Sequence, residues 1–179
     1  DDHARAIATA VGCRVATAIK RALVLSGGGV AGISWELGML TGLRDGGADV
    51  RDADTFIGTS AGSVVGAQVA GPTDLDALFA AQLVPVEQSK ERLVEFDPVE
   101  LMKSVGKVVA ELGPDVVAIR TRIGAIALAA KTVPEADRRV TIAARLPAHE
   151  WPAKRLLIVA LDALTGQERV FDADSGASL

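Results

Sequence analysis

The chain has 179 residues, 49% of them hydrophobic, enough to bury one domain-sized core and too apolar for a disordered segment. Its 19 basic and 23 acidic residues are scattered and leave a net charge of -4, so the basic stripe that nucleic-acid binding needs is missing. The single cysteine, Cys13, cannot close an internal disulfide, and no Cys/His spacing suits a metal, so neither metal nor cofactor is called for.

Residues 1–20 open on Asp1-Asp2-His3 with no initiator methionine, and Ala4, Ile7, Ala8, Val11, Val15 and Ile19 recur at helical spacing. They read as an N-terminal helical extension or processing remnant packed on the domain, not as a signal peptide. Residues 21–179 read as the N-terminal part of a single domain, incomplete in this chain. Arg21 to Leu25 is a short apolar run entering Ser26-Gly27-Gly28-Gly29, the pattern of a buried strand feeding a glycine loop. A helix follows, with Ile33, Leu37, Leu40 and Leu43 on one face, and it stops at Asp45-Gly46-Gly47. A second strand, Thr55-Phe56-Ile57, runs into Gly58-Thr59-Ser60-Ala61-Gly62, and a small-residue helix continues to Ala70. Helical segments are predicted over residues 74–83, 99–112, 116–130 and 134–145. The best strand in the chain, residues 155–161, then turns through Leu164-Thr165-Gly166-Gln167 into Arg169-Val170-Phe171 as a hairpin. This order predicts an α/β fold, a three-layer sandwich whose central sheet is largely parallel with helices on both faces. No apolar run approaches the roughly 18 residues that span a bilayer, which places the protein in the cytoplasm or at a membrane surface.

Two glycine-framed turns carry the chemistry. Gly58-x-Ser60-x-Gly62 between a strand and a helix is the setting in which a serine is held in a strained bend with its hydroxyl exposed, at the positive end of the helix that follows. Gly27-Gly28-Gly29-x-x-Gly32, also between strand and helix, can aim consecutive backbone N–H groups into one anion-binding concavity. The same letters fit a dinucleotide loop, but that reading wants an acidic residue at the end of the second strand. Asp52 and Asp54 precede that strand instead.

Taken together, Leu25-Ser26-Gly27-Gly28-Gly29-Val30-Ala31-Gly32 and Phe56-Ile57-Gly58-Thr59-Ser60-Ala61-Gly62-Ser63 resemble the patatin-like phospholipase family, over about residues 21–179. The resemblance implies a Ser–Asp dyad cleaving acyl esters of lipids. Ser60 would be the nucleophile, the amides of Gly27, Gly28 and Gly29 the oxyanion donors, and Gly32, Gly58 and Gly62 the residues that shape the two turns. Two departures stand out. Ala31 occupies the place where the family often has a basic residue, which weakens the expectation of a charged phospholipid head group. The family's Asp-Gly-Gly or Asp-Gly-Ala motif does not follow Ser60.

Asp45-Gly46-Gly47 has those letters but precedes the serine at a helix end, so it reads as a turn. Asp162, Asp172 and Asp174 lie downstream without the right neighbours and read as strand-end and turn residues. The resemblance therefore implies a base beyond Leu179 and little hydrolysis by this polypeptide alone. The expected partners are a lipid or ester substrate, a peripheral membrane contact, and a second copy or companion fragment covering an exposed sheet edge. Two alternatives remain: an inactive lipid-binding domain, and a Ser-His-Asp α/β-hydrolase, for which His149 would be the candidate base while His3 lies in the N-terminal segment.

Overall fold

The computed structural model describes residues 21–85 and 97–179; the helix expected over residues 1–20 lies outside them. The strands are the short aliphatic runs of the sequence: β1 (Ala22–Leu25), β2 (Thr55–Gly58), β3 (Arg155–Leu161) and β4 (Glu168–Phe171). They form one sheet in the order β1-β2-β3-β4. The first three are parallel, with Leu23 beside Phe56 and Phe56 beside Leu156, and β4 returns antiparallel with Val170 beside Val159. Parallel neighbours need crossover connections. Here helices supply them: α1 (Gly29–Asp45), α2 (Ala61–Ala70), α3 (Leu75–Gln82), α4 (Pro98–Leu112), α5 (Val116–Ala129) and α6 (Glu135–Ala143). The α/β class and the largely parallel sheet are as the sequence predicts.

Side chains alternate across a strand, so Leu25, Phe56 and Leu156 share a face, and all three are buried. α2 lies on that face and α1 packs against α2. Leu37, Leu40, Val65 and Val69 complete the core there. On the opposite face, among the described residues, Val24 is 69% exposed and Leu161 and Val170 are about half exposed.

Three helices begin where an aspartate can cap them. Asp74 accepts from Asp76 N at 2.9 Å, Asp97 from Val99 N at 2.8 Å, and Asp115 from Ala118 N at 3.0 Å. Each such cap is worth about 1 kcal/mol. At the end of α1, Gly46 N and Gly47 N donate back to Gly42 O and Arg44 O, and Gly47 takes a φ of 83°. The Asp45-Gly46-Gly47 tripeptide is thus a helix-ending turn, as its position predicts. A 3-10 turn at Val50–Asp52, capped by Asp49 accepting from Arg51 N, was not foreseen. α5 docks against the β3–β4 turn so closely that a methyl at Gly124 would stand 2.1 Å from Ala163 O. An ion pair from Arg120 to Glu168 at 3.0 Å joins α5 to the start of β4.

Candidate active site

Ser60 stands between the last residue of β2 and the first turn of α2 with φ 53° and ψ -117°, the one non-glycine at positive φ among the described residues. A conformation of this kind costs on the order of 1–3 kcal/mol and persists only where the surroundings impose it. Here they do. Gly62 N donates to Ser26 O at 2.7 Å and to Thr59 O at 3.0 Å, tying the bend to the glycine loop and closing it on itself. Thr59 Oγ1 donates to Val159 O at 3.0 Å and ties the same bend to β3. The two framing glycines are demanded by close approach: a methyl at Gly62 would lie 2.4 Å from the Leu25 carbonyl, and one at Gly58 2.3 Å from Gly62 O. The result is a serine that is exposed while Ala61 and Gly62 behind it are buried.

The glycine loop arrives from β1. A methyl on Gly27 would be 3.5 Å from Ser60 Cβ and 3.9 Å from Ser60 Oγ, so the loop backbone runs beside the hydroxyl. Gly28 and Gly32 are in contact, since a methyl on the former would meet the latter's Cα at 2.7 Å. Gly32 in turn abuts Ala61 at the start of α2, so the first turns of α1 and α2 interlock. Gly27, Gly28 and Gly29 are all exposed, and α1 begins at Gly29, where helical amides have no partner within the helix.

Glu36 holds this loop from below, and sequence reasoning missed it. Its Oε1 accepts from Ser26 N at 2.8 Å, and the side chain is buried. Burial pushes its carboxyl above the ordinary value of 4.5, against the pull of the Ser26 bond. Oε2 has no partner. The available signal was an acid set within the apolar stripe of Ile33, Leu37 and Leu40.

The candidate bases are elsewhere. Among the described residues Ser60 Oγ makes no hydrogen bond. Asp45 pairs with Arg44 at 2.7 Å on the surface. Asp162 accepts from Leu164 N and Thr165 N at 2.9 Å each, which holds the hairpin turn and draws its carboxyl below the ordinary range. Asp172 accepts from Asp174 N at 3.1 Å. His149 Nε2 lies 3.1 Å from Ala143 O, at the end of α6. None of these contacts involves Ser60. No group of three metal-ligating side chains and no helix long and apolar enough to cross a membrane occurs among the described residues.

The family model for patatin-like phospholipases matches residues 23–161, which takes in both glycine turns and the first three strands. The chain belongs to the patatin-like phospholipase family. Among solved structures, the crystal structure of the type III effector protein ExoU aligns with a TM-score of 0.41 at 20% identity. The alignment covers 87% of this chain and 36% of that one, so this chain spans little more than a third of ExoU. No curated protein matches at a significant level.

Proposed function

We propose that this chain carries the nucleophile and the oxyanion-binding loop of a serine hydrolase that cleaves acyl esters of lipids. Ser60 Oγ attacks the acyl carbonyl and forms an ester bond to the acyl group. Its proton passes through a base to the departing alcohol, and water then releases the acid. During both additions the carbonyl oxygen becomes an oxyanion, for which the amides of Gly27, Gly28 and Gly29 are the proposed donors. Removing one such donor typically costs about a hundred- to a thousand-fold in turnover. The base is an aspartate supplied from outside the described residues: Asp45 is held in an ion pair, the carboxylates of Asp162 and Asp172 hold turns, and no described carboxylate bonds Ser60 Oγ.

The observation that supports this reading above the others is the strained Ser60 bend, bonded through Gly62 N to the glycine loop at 2.7 Å. An ordinary strand-to-helix turn has no use for a serine at φ 53°. The Ser-His-Asp alternative finds no support in His149, which contacts the end of α6.

Two measurements test the proposal. In the full-length protein, a fluorophosphonate probe should modify Ser60, mapped by peptide mass, and Ser60→Ala should abolish ester hydrolysis. Modification at another serine would refute the nucleophile assignment. Residues 1–179 alone should hydrolyse short-chain nitrophenyl esters near background. Robust turnover by that polypeptide, lost in Ser60→Ala, would mean that the base lies within it.

A further inference from the structure

Among the described residues Glu36 is the only ionisable side chain that is buried, at 5% exposure, and the proposed reaction does not use it. A glutamate on a helix is ordinarily left in water. This one lies between Ile33, Leu37 and Leu40, where an aliphatic residue would pack without desolvating a carboxyl, and its Oε2 has no partner. Its presence therefore weakens α1 as a packing element. What it achieves lies in the one bond it makes, from Ser26 N to Oε1 at 2.8 Å.

That bond falls on a residue held at both ends. Ser26 O accepts from Gly62 N at 2.7 Å, in the bend that carries Ser60. Ser26 also stands between the last residue of β1 and Gly27, whose backbone runs beside the Ser60 hydroxyl. A peptide is planar and trans, so a fixed Ser26 carbonyl sets the Gly27 N–H in the opposite direction. Consecutive glycines impose little direction of their own. With its N–H released, Ser26 could rotate, and the first amide of the glycine loop would lose its bearing relative to Ser60.

We propose that Glu36 is a positioning residue for ester hydrolysis, clamping Ser26 so that the amides of Gly27, Gly28 and Gly29 keep the direction an oxyanion requires. The role in turnover rests on the hydrolase reading above; the clamp rests on the two bonds at Ser26. Glu36 touches no reacting atom and acts only through the loop.

The test compares an oxo ester with its thiono counterpart in the full-length protein. Sulfur accepts hydrogen bonds weakly, so the ratio of the two rates reports on the oxyanion donors and not on the nucleophile. Glu36→Leu removes the acceptor at similar volume. It is expected to lower kcat for the oxo ester about ten- to hundredfold, somewhat less than the outright loss of a donor, and to shrink the oxo-to-thiono ratio by about the same factor. KM should move far less than kcat, the pattern of an interaction made in the transition state. Glu36→Gln keeps an acceptor oxygen in the same place and should recover turnover to within about threefold. An unchanged rate in Glu36→Leu, an equal loss on both esters, or a Glu36→Gln protein as slow as Glu36→Leu would each overturn the proposal.

Should Glu36→Leu fail to fold, amide exchange in the unaltered protein, read residue by residue by NMR, decides the matter. Ser26 and Gly27 to Gly29 are all exposed residues, yet only the Ser26 N–H is directed at a buried carboxyl. After correction for intrinsic rates it should exchange at least about tenfold more slowly than the amides of Gly27 and Gly29. Exchange at their rate would show that the clamp does not exist. Hydrolysis left intact by Ser60→Ala would refute the hydrolase reading and the positioning role with it, whereas hydrolysis lost in Ser60→Ala and untouched in Glu36→Leu would refute the positioning role alone.

Discussion

Replacing Ser60 with glycine should make the protein more stable, and replacing it with alanine should not. The serine is held at φ 53° and ψ -117°, a region that any residue with a Cβ enters at a cost on the order of 1–3 kcal/mol. Alanine keeps the Cβ and therefore keeps the strain. Its loss of the hydroxyl is nearly neutral, since Ser60 Oγ is exposed and makes no hydrogen bond among the described residues. Glycine removes the strain but adds roughly 0.5–1 kcal/mol of chain entropy to the unfolded state. The balance is about 1 kcal/mol in favour of Ser60→Gly, which for a domain of this size is a rise of about 2–4 °C in Tm. Differential scanning fluorimetry or urea denaturation of the three proteins side by side reads it directly. If Ser60→Gly melts at or below Ser60→Ala, the bend is not strained, and the argument that function maintains it fails.

Other perturbations follow from the same geometry. Gly62→Ala would drive a methyl to 2.4 Å from the Leu25 carbonyl. It should cost at least the 1–3 kcal/mol of ordinary overpacking and abolish fluorophosphonate labelling at Ser60; an unchanged melt would refute the close approach. For Glu36, a carboxyl raised above 4.5 means that the folded protein holds its proton more tightly than the unfolded chain, so this group's contribution to stability declines as pH rises through the window above 4.5. The stability of Glu36→Gln relative to the unaltered protein should therefore grow from pH 4.5 to pH 7 in urea titrations, and a flat difference would show that Glu36 titrates normally. Val24→Lys, on the open sheet face, should change stability by no more than about 0.5 kcal/mol if that face meets water. A loss well above 1 kcal/mol would reveal something packed over it.

The elements that could be read in advance are those whose signal is local. The glycine loop, the Ser60 bend and the hairpin at Leu164–Gln167 announce themselves because only glycine or a polar turn residue suits the backbone there. The helix starts at Asp74, Asp97 and Asp115 are legible for a similar reason: a carboxylate beside two or three free amides is a contact within one turn. Glu36 and Gln68 were not legible, because their burial depends on what crosses them. A glutamate in an apolar stripe becomes an anchor only when Ser26 arrives from β1, and a glutamine in a small-residue helix becomes an unpaired acceptor only when the segment after α6 covers it. The 3-10 turn at Val50–Asp52 escaped notice because one turn of three residues leaves no periodicity to detect.

The bond from Thr59 to Val159 spans a hundred residues of sequence. On a ribosome, the Ser60 bend would leave the exit tunnel long before the strand that braces it had been made, and parallel pairing over such a distance is among the slower steps of folding. The Ser60 bend is then among the later features to settle. A nascent or partly folded chain would carry Ser60 in a slack, unstrained bend until Val159 arrives to brace it.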